Sequence, residues 1–220
     1  MQGRTLAWLA VSLGSLAGCH SWTHAPGYEQ RPAMTRTRMP IVTGEACSGW
    51  CDVKGPEGRV KLEGLETTGV GRRESTRFTM SYGAMNAECQ GPVTNTGWPF
   101  VCAIASAGTP AEQWLEVRPG CLSARLTRTP GRGSEDALEL RTDVVQIAGS
   151  TAPAREISLL RGSDLLVASD AHGGGLDLYT QPGATLAPTT VLALVAYHAF
   201  VAIGGLPESC TSGPAPVAAR

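Results

Sequence analysis

Few residues in this chain have the chemistry to act on a substrate. Among its 220 residues are seven Cys and four His, and only His172 and His198 lie in the body of the chain. A thiol offers a nucleophile, a metal ligand or a disulfide partner, and an imidazole offers acid–base catalysis. No two Cys have the C-x2-C spacing of a zinc site, and no His lies near Cys47 and Cys51 or near Cys89 and Cys102. H-E-x-x-H and a calcium-binding loop are also missing from the sequence. It therefore predicts neither a metal nor a cofactor. The pairs Glu63/Glu66 and Glu135/Asp136 have the composition for two-carboxylate chemistry, but both fall at strand ends or in loops, where solvated carboxylates are expected. Gly69-Val70-Gly71 and Gly131-Arg132-Gly133 lack the further glycine and helix of a nucleotide-binding turn. Trp50, Trp98 and Trp114 offer a ligand surface or, by default, packing.

Asp170-Ala171-His172-Gly173-Gly174-Gly175 contains HGGG, which is similar to the oxyanion-hole segment of some lipases and esterases. That resemblance would imply a nucleophile elbow, G-x-S-x-G, which the chain lacks. The segment also sits between two short strands near the C-terminus, so it reads as a glycine-rich hairpin loop. His198, beside Tyr197 on an apolar segment, reads as a hydrogen-bonded core residue.

The N-terminus carries an address. Arg4 precedes an uncharged apolar stretch, TLAWLAVSLGSL, of signal-peptide length and too short to span a bilayer. It ends in Leu16-Ala17-Gly18-Cys19, which resembles the lipobox of bacterial lipoproteins. The resemblance implies removal of residues 1–18 and a thioether-linked diacylglycerol on Cys19. It also implies attachment to the membrane through the lipid. The next residue is His20, not Asp, which under the enteric sorting rule implies the outer membrane. Two or three acyl chains hold firmly, each buried CH2 adding about 0.8 kcal/mol. Residues 19–40, with three Pro and Arg31, Arg36 and Arg38, then read as a lipidated tether whose arginines face solvent or lipid headgroups. Twenty flexible residues have a reach on the order of 25 Å.

With Cys19 assigned to lipid, an even set remains: Cys47, Cys51, Cys89, Cys102, Cys121 and Cys210. In an exported chain these read as disulfides, with about fifteen possible connectivities. Short loops favour Cys47–Cys51 and Cys89–Cys102, leaving Cys121–Cys210 by elimination. Cleavage would also remove one basic residue, Arg4, leaving 17 of the 18 basic residues against 19 acidic, a net −2. Such a balance argues against nucleic acid as a partner. Only Lys54 and Lys61 are lysine, so the arginine excess reads as genome composition and not phosphate chemistry.

These features need elements to hold them. From residue 58 to 180 the pattern is mainly period two, with strands at 59–63, 77–82, 100–105, 114–117 and 122–127. The phase slips between Leu138–Leu140 and Val145–Ile147, which predicts a bulge near Asp143. Glu156–Leu160 and Asp164–Ser169 form a hairpin through Arg161-Gly162-Ser163. Pro188 and Gly204 bracket the apolar run VLALVAYHAFVAI, which reads as a helix buried against the sheet. The fold class is mainly β: an antiparallel meander forming a sandwich or partly closed barrel, with one C-terminal apolar α-helix. Residues 41–210 would be one disulfide-stapled domain and 211–220 a disordered tail. The functional expectation is an outer-membrane-anchored lipoprotein with a non-catalytic binding or structural role, its partner an envelope protein or glycan. The alternative is an envelope hydrolase using His172 and nearby carboxylates.

Overall fold

Alternating apolar and polar residues run through most of the middle of the chain, and the computed structural model turns them into one long antiparallel sheet. It describes residues 25, 27–40, 52–69, 75–92, 99–117, 123–128, 137–142, 145–147, 150–152, 156–172 and 174–202. The strands are β1 Thr35–Pro40, β2 Asp52–Gly55, β3 Gly58–Thr68, β4 Ser75–Tyr82, β5 Met85–Pro92, β6 Phe100–Ser106 and β7 Gln113–Val117. They continue with β8 Ser123–Thr127, β9 Leu138–Thr142, β10 Val145–Ile147, β11 Ser150–Ala152, β12 Glu156–Arg161, β13 Asp164–His172 and β14 Gly175–Thr180. A 3-10 helix, Tyr28–Ala33, precedes β1, and the helix α1, Pro188–Ala202, follows β14.

Twelve strands join in the order β1-β14-β13-β12-β9-β8-β7-β6-β5-β4-β3-β2, every pair antiparallel. The two edge strands, β1 and β2, lie side by side, so the sheet curls into a nearly closed barrel. Of the two predicted alternatives, sandwich and partly closed barrel, the chain adopts the barrel. Closure suits the sequence, because a rolled sheet hides the edges that would otherwise seek other strands.

The barrel is filled by α1. Residues 191–201 are buried without a break, which an amphipathic surface helix never achieves. Ala187 starts it: its carbonyl accepts from the N–H groups of Thr190 and Val191, and Pro188 needs no partner at the first position. Inward residues of β4, β5, β6 and β7 pack against it, and Ser169 of β13 touches it through His198. On β4 these are Phe78, Met80 and Tyr82, alternating with outward Arg77, Thr79 and Ser81. Phe100 on β6 stacks tilted against Phe200 of α1 at 4.5 Å and against Phe78 at 5.8 Å. Each large buried side chain contributes about 1.5–3 kcal/mol of hydrophobic stabilisation. Among the described residues no helix is long and apolar enough to cross a membrane. The apolar run near the C-terminus is thus spent on the interior of the barrel.

Two expectations need correction. The tether does not extend to residue 40, because the 3-10 helix and β1 fold onto the barrel, with β1 pairing along its whole length with β14. The phase slip near Asp143 is not a bulge within one strand. β9 ends at Thr142, and β10 pairs with β11 in a separate two-stranded ribbon. Among the described residues the register shifts elsewhere, in β3 between Glu63 and Glu66 and in β12 between Leu159 and Leu160. Four strands had no forecast: β1, β2, β5 and β11.

Candidate functional site

Charges are the first clue to a site. On β12, β13 and β14 the residues facing away from α1 include Glu156, Asp170 and Asp177, and the register sets them in a row: Glu156 opposite Asp170, Asp170 opposite Asp177. β1 extends the row, placing Arg38 opposite Asp177. Three carboxylates side by side on one face would repel each other. The N-terminal segment brings three guanidiniums to them.

Asp177 receives two. Arg36 Nη2 lies 2.7 Å and Arg38 Nη1 3.1 Å from its Oδ2. The carboxylate is fully buried beneath them, although the arginines themselves remain partly exposed. Burial alone would raise the Asp177 pKa; the hydrogen bonds and charges of Arg36 and Arg38 outweigh it and hold the carboxyl below its usual value of 3.8. Gly175 allows this geometry. A Cβ there would sit 2.7 Å from the Arg38 guanidinium, which lies across the bare backbone of β14.

Arg31 occupies the gap between the other two acids. Its Nη1 is 3.6 Å from Asp170 and 3.8 Å from Glu156, and its Nη2 donates to the Ser169 carbonyl at 3.2 Å. The guanidinium lies 4.8 Å from the Tyr28 ring centroid and 5.1 Å from that of Tyr179, within cation–π range of both. Glu156 also accepts from the Ala25 N–H at 3.0 Å, which fixes the chain at the point where it reaches the barrel. Gly27 completes the contact: it has φ +81°, and a Cβ there would come within 2.7 Å of Leu165. Beneath this strap Leu160, Leu165 and Ala168 form a small apolar cluster outside the barrel, covered by Met34 and Tyr179. Ala25 and residues 27–40 are therefore fastened by charge, by packing and by a strand.

The interior holds a second pairing that sequence reading missed. Ser169 faces α1, and its Oγ lies 2.9 Å from His198 Nε2, a serine–imidazole distance typical of nucleophile and base. The surroundings give it another role. Ser169 is 0% and His198 2% exposed, and the serine hydroxyl donates to the Ile157 carbonyl at 3.1 Å. With its one proton spent there, the serine accepts from the ring, so His198 acts as a donor and not as a base. Burial, with a smaller effect from the Arg31 charge, lowers the His198 pKa to about 3. The pair ties α1 to β13. This matches the expected core role for His198, and Ser169 could have been found only by knowing which strand faces the helix.

The remaining forecast residues are dispersed. Cys89 and Cys102 stand opposite each other on β5 and β6 and are disulfide-bonded inside the barrel, as their spacing predicted. The bond closes a loop that adds about 3 kcal/mol in the chain-entropy model. Cys19, Cys47, Cys51, Cys121 and Cys210 lie outside the described residues, as do Trp50, Trp98, Glu135, Asp136 and the tail. His172 ends β13, its backbone paired with Gly175. Glu63 and Glu66 are exposed on either side of the β3 bulge, opposite Thr79 and Arg77. Trp114 faces outward on β7, half-buried. Among the described residues no group of three or more His, Cys, Asp and Glu side chains has the arrangement of a metal site. Compared with protein-family models, curated proteins and solved structures, the chain finds no match.

Proposed function

We propose that this chain is a lipoprotein of the bacterial outer membrane, acylated on Cys19, whose barrel has a non-catalytic binding or structural role at the envelope. The lipobox-like Leu16-Ala17-Gly18-Cys19 supports the anchor. The observation that carries the reading further is the fastening of Ala25 and residues 27–40 to the barrel wall. Only residues 20–24 separate Cys19 from Ala25. Six residue steps span at most about 20 Å even when fully extended. The barrel is then held against the lipid surface and not swung on a long leash. A rigid body kept that close is suited to engaging a neighbouring envelope protein or glycan. Among the described residues the serine–imidazole pair, Ser169 and His198, is committed to holding the central helix.

The test is expression of the full chain and of Cys19→Ser in a bacterial host fed a labelled fatty acid. The reading expects label and membrane association in the parent, with both lost in the variant. A Cys19→Ser chain that keeps its label overturns it.

A further inference from the structure

The barrel has an open mouth at the rim that α1 enters, where β7 and β9 begin and β8 and β12 end. A cavity of about 430 Å³ lies there, lined by Gln113, Leu126, Thr127, Arg128, Leu138 and Arg161. That is the small end of the range for ligand pockets, and barrel mouths are a common place for them. Among the described residues three of its polar groups find no partner. Arg36, Arg38 and Arg31 each have a carboxylate, as do Arg59 and Arg141, whereas Arg128 and Arg161 have none within ion-pair distance among the described residues. Gln113 Oε1 is buried and accepts no hydrogen bond from any described residue. A buried acceptor left unmade is costly, and an N–H or O–H brought by a ligand would satisfy it.

These groups define complementary chemistry. Two guanidiniums ask for an anion, Gln113 asks for a donor beside it, and Leu126 and Leu138 offer an apolar wall. We propose that the mouth binds a small carboxylate with an adjacent amide N–H, the chemistry of an N-acylated amino acid or a peptide C-terminus. The carboxylate lies between Arg128 and Arg161, the N–H donates to Gln113 Oε1, and the side chain rests on the two leucines. Free phosphate would engage the arginines but leave Gln113 and the apolar wall unused. The inference rests on the barrel's being a binding domain and not on its lipid, so the labelling assay and the binding assay fail separately.

The experiment is calorimetric titration of the purified full chain with N-acetyl-alanyl-alanine, its C-terminal amide, and inorganic phosphate. The acid is expected to bind, and the amide, which faces both guanidiniums without a charge, to bind at least about tenfold more weakly. Arg161→Gln and Arg128→Gln should each weaken the acid by a similar factor. Both side chains are exposed, so the variants should melt at the parent temperature. Gln113→Leu should weaken the N-acyl dipeptide while leaving acetate unchanged. Equal affinity for acid and amide, tighter binding of phosphate than of the acid, or no heat with the acid would each overturn the proposal.

Discussion

Arg38 and Asp177 stand opposite each other on β1 and β14, guanidinium to carboxylate at 3.1 Å, and the carboxylate is fully buried although the arginine is not. Through this pair the N-terminal segment becomes part of the barrel wall. Arg36 doubles the contact at 2.7 Å. A buried carboxylate is tolerated only when its charge is met, and here it is met from a single short strand.

Asp177→Asn should loosen that strand. The variant keeps an acceptor but loses the charge, so destabilisation of about 1–3 kcal/mol is expected, concentrated at the N-terminal segment. Hydrogen exchange checks it: amides of residues 35–40 should exchange faster, while those of β5 and β6 keep the parent rate. Uniform acceleration across the barrel would contradict the local role.

Acid should act on the same contact. The Asp177 pKa lies lower in the folded chain than its ordinary 3.8, so its stabilisation is present above that value and fades as pH falls through the folded pKa. β1 should therefore stay docked at pH 5 or so and release at strongly acid pH, a transition missing in Asp177→Asn.

His198 gives a different acid window. Its folded pKa of about 3 lies below the ordinary 6.5, so the unfolded chain takes up a proton that the fold refuses. Stability should fall as pH drops from 6.5 toward 3, by at most about 1.4 kcal/mol per pH unit, and be flat in this term above 6.5. His198→Gln retains a donor for Ser169 and removes the titration. Denaturant melts at pH 7 and pH 4.5 should show a smaller difference in the variant than in the parent.

How much of this was legible varied with how local the information is. The strand at 123–127 and the 156–169 hairpin announce themselves through alternation and a glycine turn, because a sheet face and a tight turn are written in neighbouring residues. α1 is legible for the same reason. β1 is not: Thr35, Arg36, Thr37 and Arg38 carry no apolar face, and Met39 alone points firmly inward. Its ion-pair partner is Asp177 on β14, far along the chain, so no local pattern distinguishes it from a solvated linker. β5 hides differently, since its inward residues, Ala87 and Cys89, are small beside the bulky α1. Cys89–Cys102 was readable from a short loop; Ser169–His198 was not, because it depends on the helix being threaded through the barrel.

Leu194→Asp should unfold the chain. Leu194 is 0% exposed at the centre of α1, and a carboxylate there would have no water and no cation. Loss of the near-ultraviolet dichroism of the packed aromatics is the readout. A folded Leu194→Asp chain that partitions into detergent would contradict burial of α1 inside the barrel.

Gly27→Ala tests the strap without touching any charge. A left-handed alanine costs about 1–2 kcal/mol, and the added methyl presses on Leu165. Limited proteolysis should cut the variant within residues 25–34 faster than the parent, with the barrel fragment left intact.

The central claim, an acylated Cys19 a few residues from a fastened barrel, is tested most directly by the mass of the N-terminal peptide from membrane-extracted protein. The account predicts a chain that begins at Cys19 and carries a diacylglycerol thioether. A chain that retains residues 1–18, or that begins elsewhere with an unmodified Cys19, would contradict it.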